Sequence, residues 1–190
     1  MRKNIILCGV GGQGTVLASR LISAAAMSCG IPVMSAETIG MAQRGGNVFS
    51  HLRMGEGLYS PMIALGEADL IIGFEPGEAV RQLPYLKPDG RVVVSDRAVM
   101  PVTASLSGGG YDAAPMLDYL RQQVPRLTVV DAEAGLREIG HSKVLNLILL
   151  GAALKSGGLG LTEENLVTAV QTVVKEKFRD VNLRALRWFS

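Results

Sequence analysis

The feature that most constrains this chain is the stretch IILCGVGGQGTVLASRL at residues 5–21. An apolar run leads into a glycine loop at residues 9–14, and the loop opens directly into a helical pattern. A strand, a glycine turn and a helix in this order are typical of the first unit of a nucleotide-binding α/β fold. Glycines there let backbone N–H groups surround an anion at the helix N-terminus. The same glycine-rich sequence is also typical of a tight turn between a strand and a helix that binds no ligand.

Two glycine-rich segments supply the candidate binding residues. In the glycine loop, the side-chain amide of Gln13 is predicted to donate to a phosphate or to a neighbouring chain. In the bend at residues 43–46, Arg44 lies between Gln43 and two glycines, which favours a guanidinium that clamps a phosphate or a carboxylate. The candidate cofactor-binding or interface residues are Gly9, Gly11, Gly12, Gln13, Gly14, Gln43, Arg44, Gly45 and Gly46.

A second strand pattern, at residues 31–37, ends in an acid that suits a dinucleotide site. Glu37 lies 23 positions after Gly14. A spacing of roughly 20 residues is expected for the acid that binds the ribose of a dinucleotide. The glycine loop and Glu37 together therefore allow a nucleotide-binding interpretation.

An antiparallel hairpin is predicted after the glycine-rich bend. Residues 48–54 alternate in polarity, and residues 58–65 are predicted to be the returning strand after a Gly-Glu-Gly turn. His51 is placed on the more polar side of the first strand, at the surface or half-buried. A simple nucleotide-binding fold has a crossover helix at this point, so the hairpin argues against a dinucleotide enzyme.

The rest of the chain alternates between strands and helices and then becomes helical. Strand patterns at residues 68–75 and 91–97 are apolar along their length, as buried parallel strands are, and residues 126–132 are predicted to be one more strand. Residues 143–154 are apolar on nearly every side, so this helix is predicted to be buried in the core or against another chain. The predicted fold is a three-layer α/β fold with a mostly parallel, Rossmann-like sheet, an inserted antiparallel hairpin and a helical C-terminal segment. It forms one domain over residues 1–190.

Two helix starts are predicted from their capping residues. Ser142, after His141 in a turn, is predicted to cap the apolar helix, and Thr162 is predicted to cap the next one. Asn165 lies where a capping box has Glu or Gln, so no box is predicted there.

Composition and charge exclude several classes of function. The chain is 48% hydrophobic and 19% charged, which indicates a compact, well-buried protein. The net charge is only +2 and the basic residues are scattered, so no nucleic-acid surface is predicted. No apolar run reaches the roughly 18 residues of a membrane helix, and the N-terminus does not fit a signal peptide. No membrane association and a cytoplasmic location are therefore predicted.

The metal-binding side chains are too scattered for a metal site. Cys8 and Cys29 have no C-x-x-C spacing and no histidine pair beside them, so the chain alone is predicted to hold no zinc and no four-cysteine iron–sulfur cluster. His51 and His141 belong to no recognisable nucleophile and base arrangement. No catalytic residue is assigned, and self-sufficient catalysis is not predicted.

Four blocks of sequence together carry a resemblance to a known family. They are GVGGQGTVLASRL, AETIGMAQRGGNVFSHLRMG, YSPMIALGEADLIIGFEPGEAVRQLPYLKPDGRVVV and KVLNLILLGAAL. The chain resembles the gamma-type subunits of the 2-oxoacid:ferredoxin oxidoreductases, and among them most closely those of the indolepyruvate branch. The resemblance runs from about residue 3 to the C-terminal helix and is weakest at roughly residues 98–114.

The resemblance implies a subunit that works with a larger partner. Enzymes of this family decarboxylate a 2-oxoacid on thiamine diphosphate, pass electrons through iron–sulfur clusters to ferredoxin and release an acyl-CoA. This chain lacks the G-D-G…N pattern and the cluster cysteines, so thiamine diphosphate, Mg and clusters are assigned to the partner, with CoA as co-substrate. Residues 9–14 and 43–46 are expected at the junction with that partner, near the thiamine or CoA path. Alone, the chain is expected to form a homodimer.

Two other functions remain open at the level of sequence. The glycine loop and Glu37 allow a stand-alone NAD(P)-binding dehydrogenase. The glycine loop and Arg44 allow a non-enzymatic nucleotide-binding or anion-binding protein.

Overall fold

A six-stranded mixed sheet forms the centre of the fold in this computed structural model, which describes residues 2–37, 45–100 and 111–189. The strands are β1 (Lys3–Val10), β2 (Val33–Glu37), β3 (Asn47–Met54), β4 (Ala68–Gly73), β5 (Leu86–Ser95) and β6 (Leu127–Val130). The helices are α1 (Thr15–Ser28), α2 (Pro76–Gln82), α3 (Ala114–Gln123), α4 (Ala132–Ile139), α5 (Leu145–Lys155), α6 (Glu163–Val173) and α7 (Glu176–Arg187). Gln43 and Arg44 lie outside the described residues, as do residues 101–110 of the segment least like the family.

The strand order is β2-β3-β1-β4-β5-β6. Strands β1, β4, β5 and β6 run parallel to one another, whereas β3 is antiparallel to both of its neighbours, β1 and β2. Helices cover both faces of the sheet. The predicted fold class, a mostly parallel α/β sheet with an antiparallel insertion and a helical C-terminal segment, is confirmed.

The antiparallel insertion has different partners from those predicted. Strand β3 pairs with β1 on one side and with β2 on the other. Residues 58–65, predicted as the returning strand, are instead an irregular segment, so that prediction is wrong. Both edges of β3 are already occupied, and Pro61 within the segment has no N–H group to donate to a ladder.

The two faces of the sheet carry unequal numbers of helices. Helices α1, α4, α5, α6 and α7 contribute to the larger core on one face, and α2 and α3 contribute to a smaller core on the other. Every residue from Val144 to Ala153 is buried within the chain itself, so the apolar helix α5 is part of the core. Within the described residues, no helix is long and apolar enough to cross a membrane.

Of the two predicted helix caps, Thr162 is confirmed and Ser142 is not. Helix α5 begins after Val144, which makes no side-chain cap, so the predicted Ser142 cap is wrong. At α6, the Thr162 hydroxyl accepts from the Asn165 N–H at 3.3 Å, and the Asn165 side chain accepts from the Thr162 N–H at 2.9 Å. This is a reciprocal capping box that the sequence did not predict, and it forms because the Asn carbonyl oxygen reaches the same donor as a Glu side chain does.

Gly151 allows helices α5 and α7 to approach closely. A methyl group on Gly151 would overlap the carbonyl oxygen of Leu186 in α7. We expect Gly151→Ala to lower the free energy of unfolding by about 1–3 kcal/mol, because the backbones must separate to relieve the overlap. Urea unfolding followed by circular dichroism measures this difference.

Lys155→Ala, at an exposed position of the same helix, is the matched control and is expected to leave the stability unchanged within about 0.5 kcal/mol. A Gly151→Ala protein as stable as the wild type would contradict this account of the helix contact.

Candidate functional site

The candidate site lies at the carboxyl ends of two neighbouring parallel strands. The helices that follow these two strands pack on opposite faces of the sheet. Strand β1 continues into α1, which packs on the larger core, and β4 continues into α2, which packs on the smaller core. β1 and β4 are adjacent and parallel. A crevice outside the carboxyl ends of such strands is where open α/β folds bind ligands. The glycine loop opens into this crevice.

The two glycine segments singled out in the sequence meet at this crevice. The N–H of Gly11 donates to the carbonyl oxygen of Gly46 at 2.8 Å, and the N–H of Gly45 donates to the carbonyl oxygen of Gly11 at 3.4 Å. These bonds extend the pairing of β1 with β3 beyond the end of the ladder. The Gly11 N–H is therefore used within the chain and does not face an anion.

The side chain of Gln13 joins the two strands of the crevice. Its Oε1 accepts from the N–H of Val10 at 2.7 Å, and its Nε2 donates to the carbonyl oxygen of Phe74 at 2.9 Å. Phe74 follows β4 directly. The side-chain amide of Gln13 therefore connects the glycine loop to the end of β4. The sequence had predicted that this amide donates to a phosphate or to a neighbouring chain.

The N-terminus of α1 is the part of the glycine loop with free capacity for an anion. Gly14 is the N-cap residue with φ 93°, and no side chain caps the helix and no acid lies in its first turn. Gly12, at φ 102°, also needs the left-handed conformation that glycine tolerates. A cavity of about 330 Å³ opens here, lined by Gly11, Gly12, Gly14, Thr15, Val16 and Val48. Uncapped N–H groups at a helix start attract negative charge.

Asn146 brings an unpaired polar side chain to the same helix start. It lies in the first turn of α5, and its side-chain amide packs against Gly14. The residue is buried, yet its Oδ1 has no hydrogen-bond partner among the described residues. Sequence analysis missed this residue, although a lone asparagine in an otherwise apolar helix was the available signal.

A buried acidic cluster lies on the other side of the crevice, after β4. Glu75 and Glu78 are both buried, and Glu75 Oε2 accepts from the Glu78 N–H at 2.9 Å. The hydroxyl of Tyr111 donates to Glu75 Oε1 at 2.5 Å. Burial raises the pKa of Tyr111, and the hydrogen bond to Glu75 raises it further, so the phenol stays protonated and remains a donor. This cluster fixes the chain at residue 111 to the start of α2, and sequence analysis missed it.

Burial also shifts two further groups beside these glutamates. It raises the pKa of Glu78, against an opposing effect of Arg81. It raises the pKa of the Cys8 thiol well above its usual value, and the charges of Glu78 and Glu75 add to this. Cys8 is therefore a protonated, unreactive core residue at neutral pH.

His51 is buried, which corrects the prediction of a surface or half-buried residue. Its Nδ1 accepts from the N–H of Ile63 at 3.0 Å, so the neutral ring carries its proton on Nε2. The Nε2 has no hydrogen-bond partner among the described residues. The ring packs edge to face with Tyr85 at a centroid distance of 5.3 Å. Residues 58–65 cover this side of β3, and the polarity pattern alone did not show that cover.

The position of Glu37 does not suit a dinucleotide site. Glu37 pairs with Ser50 of β3, and Ser50 in turn pairs with Leu7 of β1. With strands about 4.8 Å apart, Glu37 is roughly 10 Å from β1 across the sheet, whereas a dinucleotide fold has its second strand next to the first. In the part of the chain that the structure describes, no three His, Cys, Asp or Glu side chains gather as metal ligands.

Comparisons with known proteins establish the family. Residues 4–188 match the pyruvate ferredoxin/flavodoxin oxidoreductase family, and the chain therefore belongs to that family. The indolepyruvate oxidoreductase subunit IorB of Thermococcus kodakarensis is 37% identical over 96% of this chain and 91% of that protein. The subunit IorB of Methanothermobacter thermautotrophicus is also 37% identical, over 98% of this chain and 95% of that protein.

A solved structure shows the same fold. The gamma subunit of a keto/oxoacid ferredoxin oxidoreductase from Geobacter sulfurreducens superposes with a TM-score of 0.70 at 22% identity, over 100% of this chain and 95% of that one. The predicted family and the predicted role as a subunit of a 2-oxoacid:ferredoxin oxidoreductase, not self-sufficient as an enzyme, are confirmed.

The burial of His51 makes stability depend on pH. Burial lowers the pKa of His51 from its ordinary 6.5, so the unfolded chain binds the proton more readily than the folded chain does. The stabilisation is complete above about pH 6.5 and is lost as the pH falls below that value. Protonation also removes the acceptor of the Ile63 N–H.

We therefore expect the wild type to lose more unfolding free energy between about pH 7.5 and about pH 5.5 than His51→Gln does. Urea unfolding at the two pH values measures this. His141→Gln, which removes the other histidine, is the control, and it is expected to lose as much unfolding free energy between the two pH values as the wild type does. Equal losses in the wild type and His51→Gln would show that His51 does not titrate differently on folding.

Proposed function

We propose that this chain is the small subunit of an indolepyruvate oxidoreductase. The observation that carries this proposal is the 37% identity to the subunit IorB of Thermococcus kodakarensis, which spans 96% of this chain and 91% of that protein. A match of that extent leaves no large region of either protein without a counterpart. In this proposal, residues 1–190 form a single gamma-type catalytic domain of the family.

The proposal assigns the redox cofactors to a larger subunit. Thiamine diphosphate with Mg would activate the oxoacid carbonyl carbon there, and iron–sulfur clusters would carry the electrons to ferredoxin. Cys8 is buried and Cys29 is exposed, so the two cysteines are not paired as cluster ligands in this chain. In this proposal the cluster ligands belong to the larger subunit.

The glycine loop is proposed to face the co-substrate CoA at the junction with the larger subunit. Two features support an anion at this point: the uncapped N-terminus of α1 and the cavity of about 330 Å³ beside it. Helix N-termini of this kind bind phosphate groups, which CoA carries. The proposed binding or interface residues are Gly9, Gly11, Gly12, Gln13, Gly14, Gln43, Arg44, Gly45 and Gly46.

Two further expectations belong to the same proposal. The protein acts in the cytoplasm, where ferredoxin is available as the electron acceptor of the complex. Without its partner the chain is expected to form a homodimer, since two-fold dimers are the commonest closed oligomers.

Reconstitution tests the proposed function directly. The purified chain alone is expected to be colourless, free of iron and inactive towards 2-oxoacids. Combined with the larger subunit of the same oxidoreductase, it is expected to support CoA-dependent reduction of ferredoxin with indolepyruvate, and to do so faster than with pyruvate. Iron analysis and the absorbance of reduced ferredoxin measure these outcomes. A complex inactive with every 2-oxoacid, or stoichiometric iron in the lone chain, would overturn the proposal.

Arg44 provides a second test within the reconstituted complex. If its guanidinium holds an anionic group of the substrates, Arg44→Ala is expected to lower turnover by roughly tenfold while the complex remains assembled. Arg184→Ala, at an exposed position of α7, is the matched control and is expected to keep wild-type turnover. Unchanged turnover in the Arg44→Ala complex would mean that Arg44 does not bind the substrates.

A further inference from the structure

The segment at residues 58–65, here called the arm, turns its large apolar side chains away from the protein. Tyr59 is 95% exposed, Met62 is 53% exposed and Leu65 is 68% exposed. Ile63 turns inward and packs in the smaller core, and Leu58 is half-buried. Single exposed apolar residues are common on soluble proteins, but three large ones on one short segment form a patch.

The arm is held in place by polar side chains of β3. Arg53 Nη1 donates to the carbonyl oxygens of Ser60 at 3.0 Å and Met62 at 3.2 Å, and the Ile63 N–H donates to His51 at 3.0 Å. The arm ends where the Gly66 N–H donates to the carbonyl oxygen of Pro84 at 3.0 Å. A segment fixed at these points presents its side chains without a large loss of conformational entropy on binding.

The face of the sheet that carries the arm is covered by fewer helices than the opposite face. On this face, α2 packs against β1, β4 and β5, and the arm lies over β3. Next to the end of the arm, where Gly66 binds Pro84, lies a groove of about 530 Å³ with Leu83, Pro84 and Tyr119 among its lining residues.

Two basic groups near the arm are paired within the chain, whereas Glu56 and Glu67, just before and just after it, are exposed. Arg53 is bound to carbonyl groups of the arm, and Lys87, at the groove, lies 2.6 Å from Asp69. Depletion of free charge is a feature of the cores of protein interfaces. A matching surface would be apolar and uncharged opposite the centre of the arm, with polar groups at its rim for the Tyr59 hydroxyl and the two carboxylates.

We propose that the arm is a docking surface for the larger subunit of the oxidoreductase, with Tyr59 and Met62 as its anchors. This inference rests on the proposed function. Three side chains bury only a few hundred Å², and a stable interface needs about 800 Å² on each partner, so arm against arm does not make a stable dimer. The arm instead suits an anchor within the broader interface that a larger subunit provides.

The test compares two double variants in binding to the purified larger subunit. Tyr59→Ser/Met62→Ser changes the arm. Met27→Ser/Phe178→Ser is the control and changes two apolar residues, 64% and 40% exposed, that lie outside the arm. Interferometry with the immobilised larger subunit gives the Kd of each variant, and thermal unfolding checks that each is folded. The arm variant is expected to bind at least about tenfold more weakly than the wild type, and the control is expected to bind like the wild type.

The outcomes separate this inference from the proposed function. If the wild type fails to bind the larger subunit, the proposed function is wrong and the docking surface with it. If the wild type binds and the arm variant binds equally well, or the control is weakened equally, only the docking surface is wrong. Sedimentation of the lone chain gives a third check: a wild-type dimer that the arm variant abolishes would mean that a second copy occupies the arm.

Discussion

The antiparallel ladder between β1 and β3 is the interaction on which the rest of the structure depends. It runs from the pair Lys3 and Met54 to the pair Val10 and Asn47, and it continues beyond the strands through Gly11 and Gly46. Because β3 pairs with this edge of β1, β2 is not adjacent to β1 and pairs with the other edge of β3 instead. The same ladder brings the two glycine segments together and leaves β3 without a free edge for residues 58–65.

A second constraint is that α1 and α2, which follow the neighbouring strands β1 and β4, pack on opposite faces of the sheet. Nearly all polar groups at this crevice are bonded within the chain: Gln13 joins Val10 to Phe74, and Tyr111 binds Glu75. Among the described residues, what remains for a ligand is the uncapped start of α1 and the nearby Asn146 Oδ1. The helix start attracts an anion, and the Oδ1 accepts from a donor group. These two groups agree with a subunit that contributes part of a site to a larger enzyme.

Much of the fold followed from local patterns. The run Ile5-Ile6-Leu7 and the glycines after it specified a strand, a turn and a helix, and the apolar residues 143–154 specified a buried helix. Residues 58–65 were mispredicted because local sequence does not show whether a neighbouring strand has an edge to offer. His51 was mispredicted for a related reason: its burial comes from Ile63, which lies twelve residues further along the chain.

The sequence by itself determined the class of protein, since the glycine loop, the Gln43-Arg44-Gly45-Gly46 bend and the missing cluster cysteines are properties of residues and their spacing. Tertiary structure decided which of those residues remain free. The Gln13 amide looked available in the sequence, but it is taken by two backbone groups from different strands. Asn146 was not singled out in the sequence, but it meets Gly14 across 132 positions of chain. A hydrogen bond or a close contact is decided by distance in space, and distance between segments far apart in sequence is fixed only when the sheet and its helices pack.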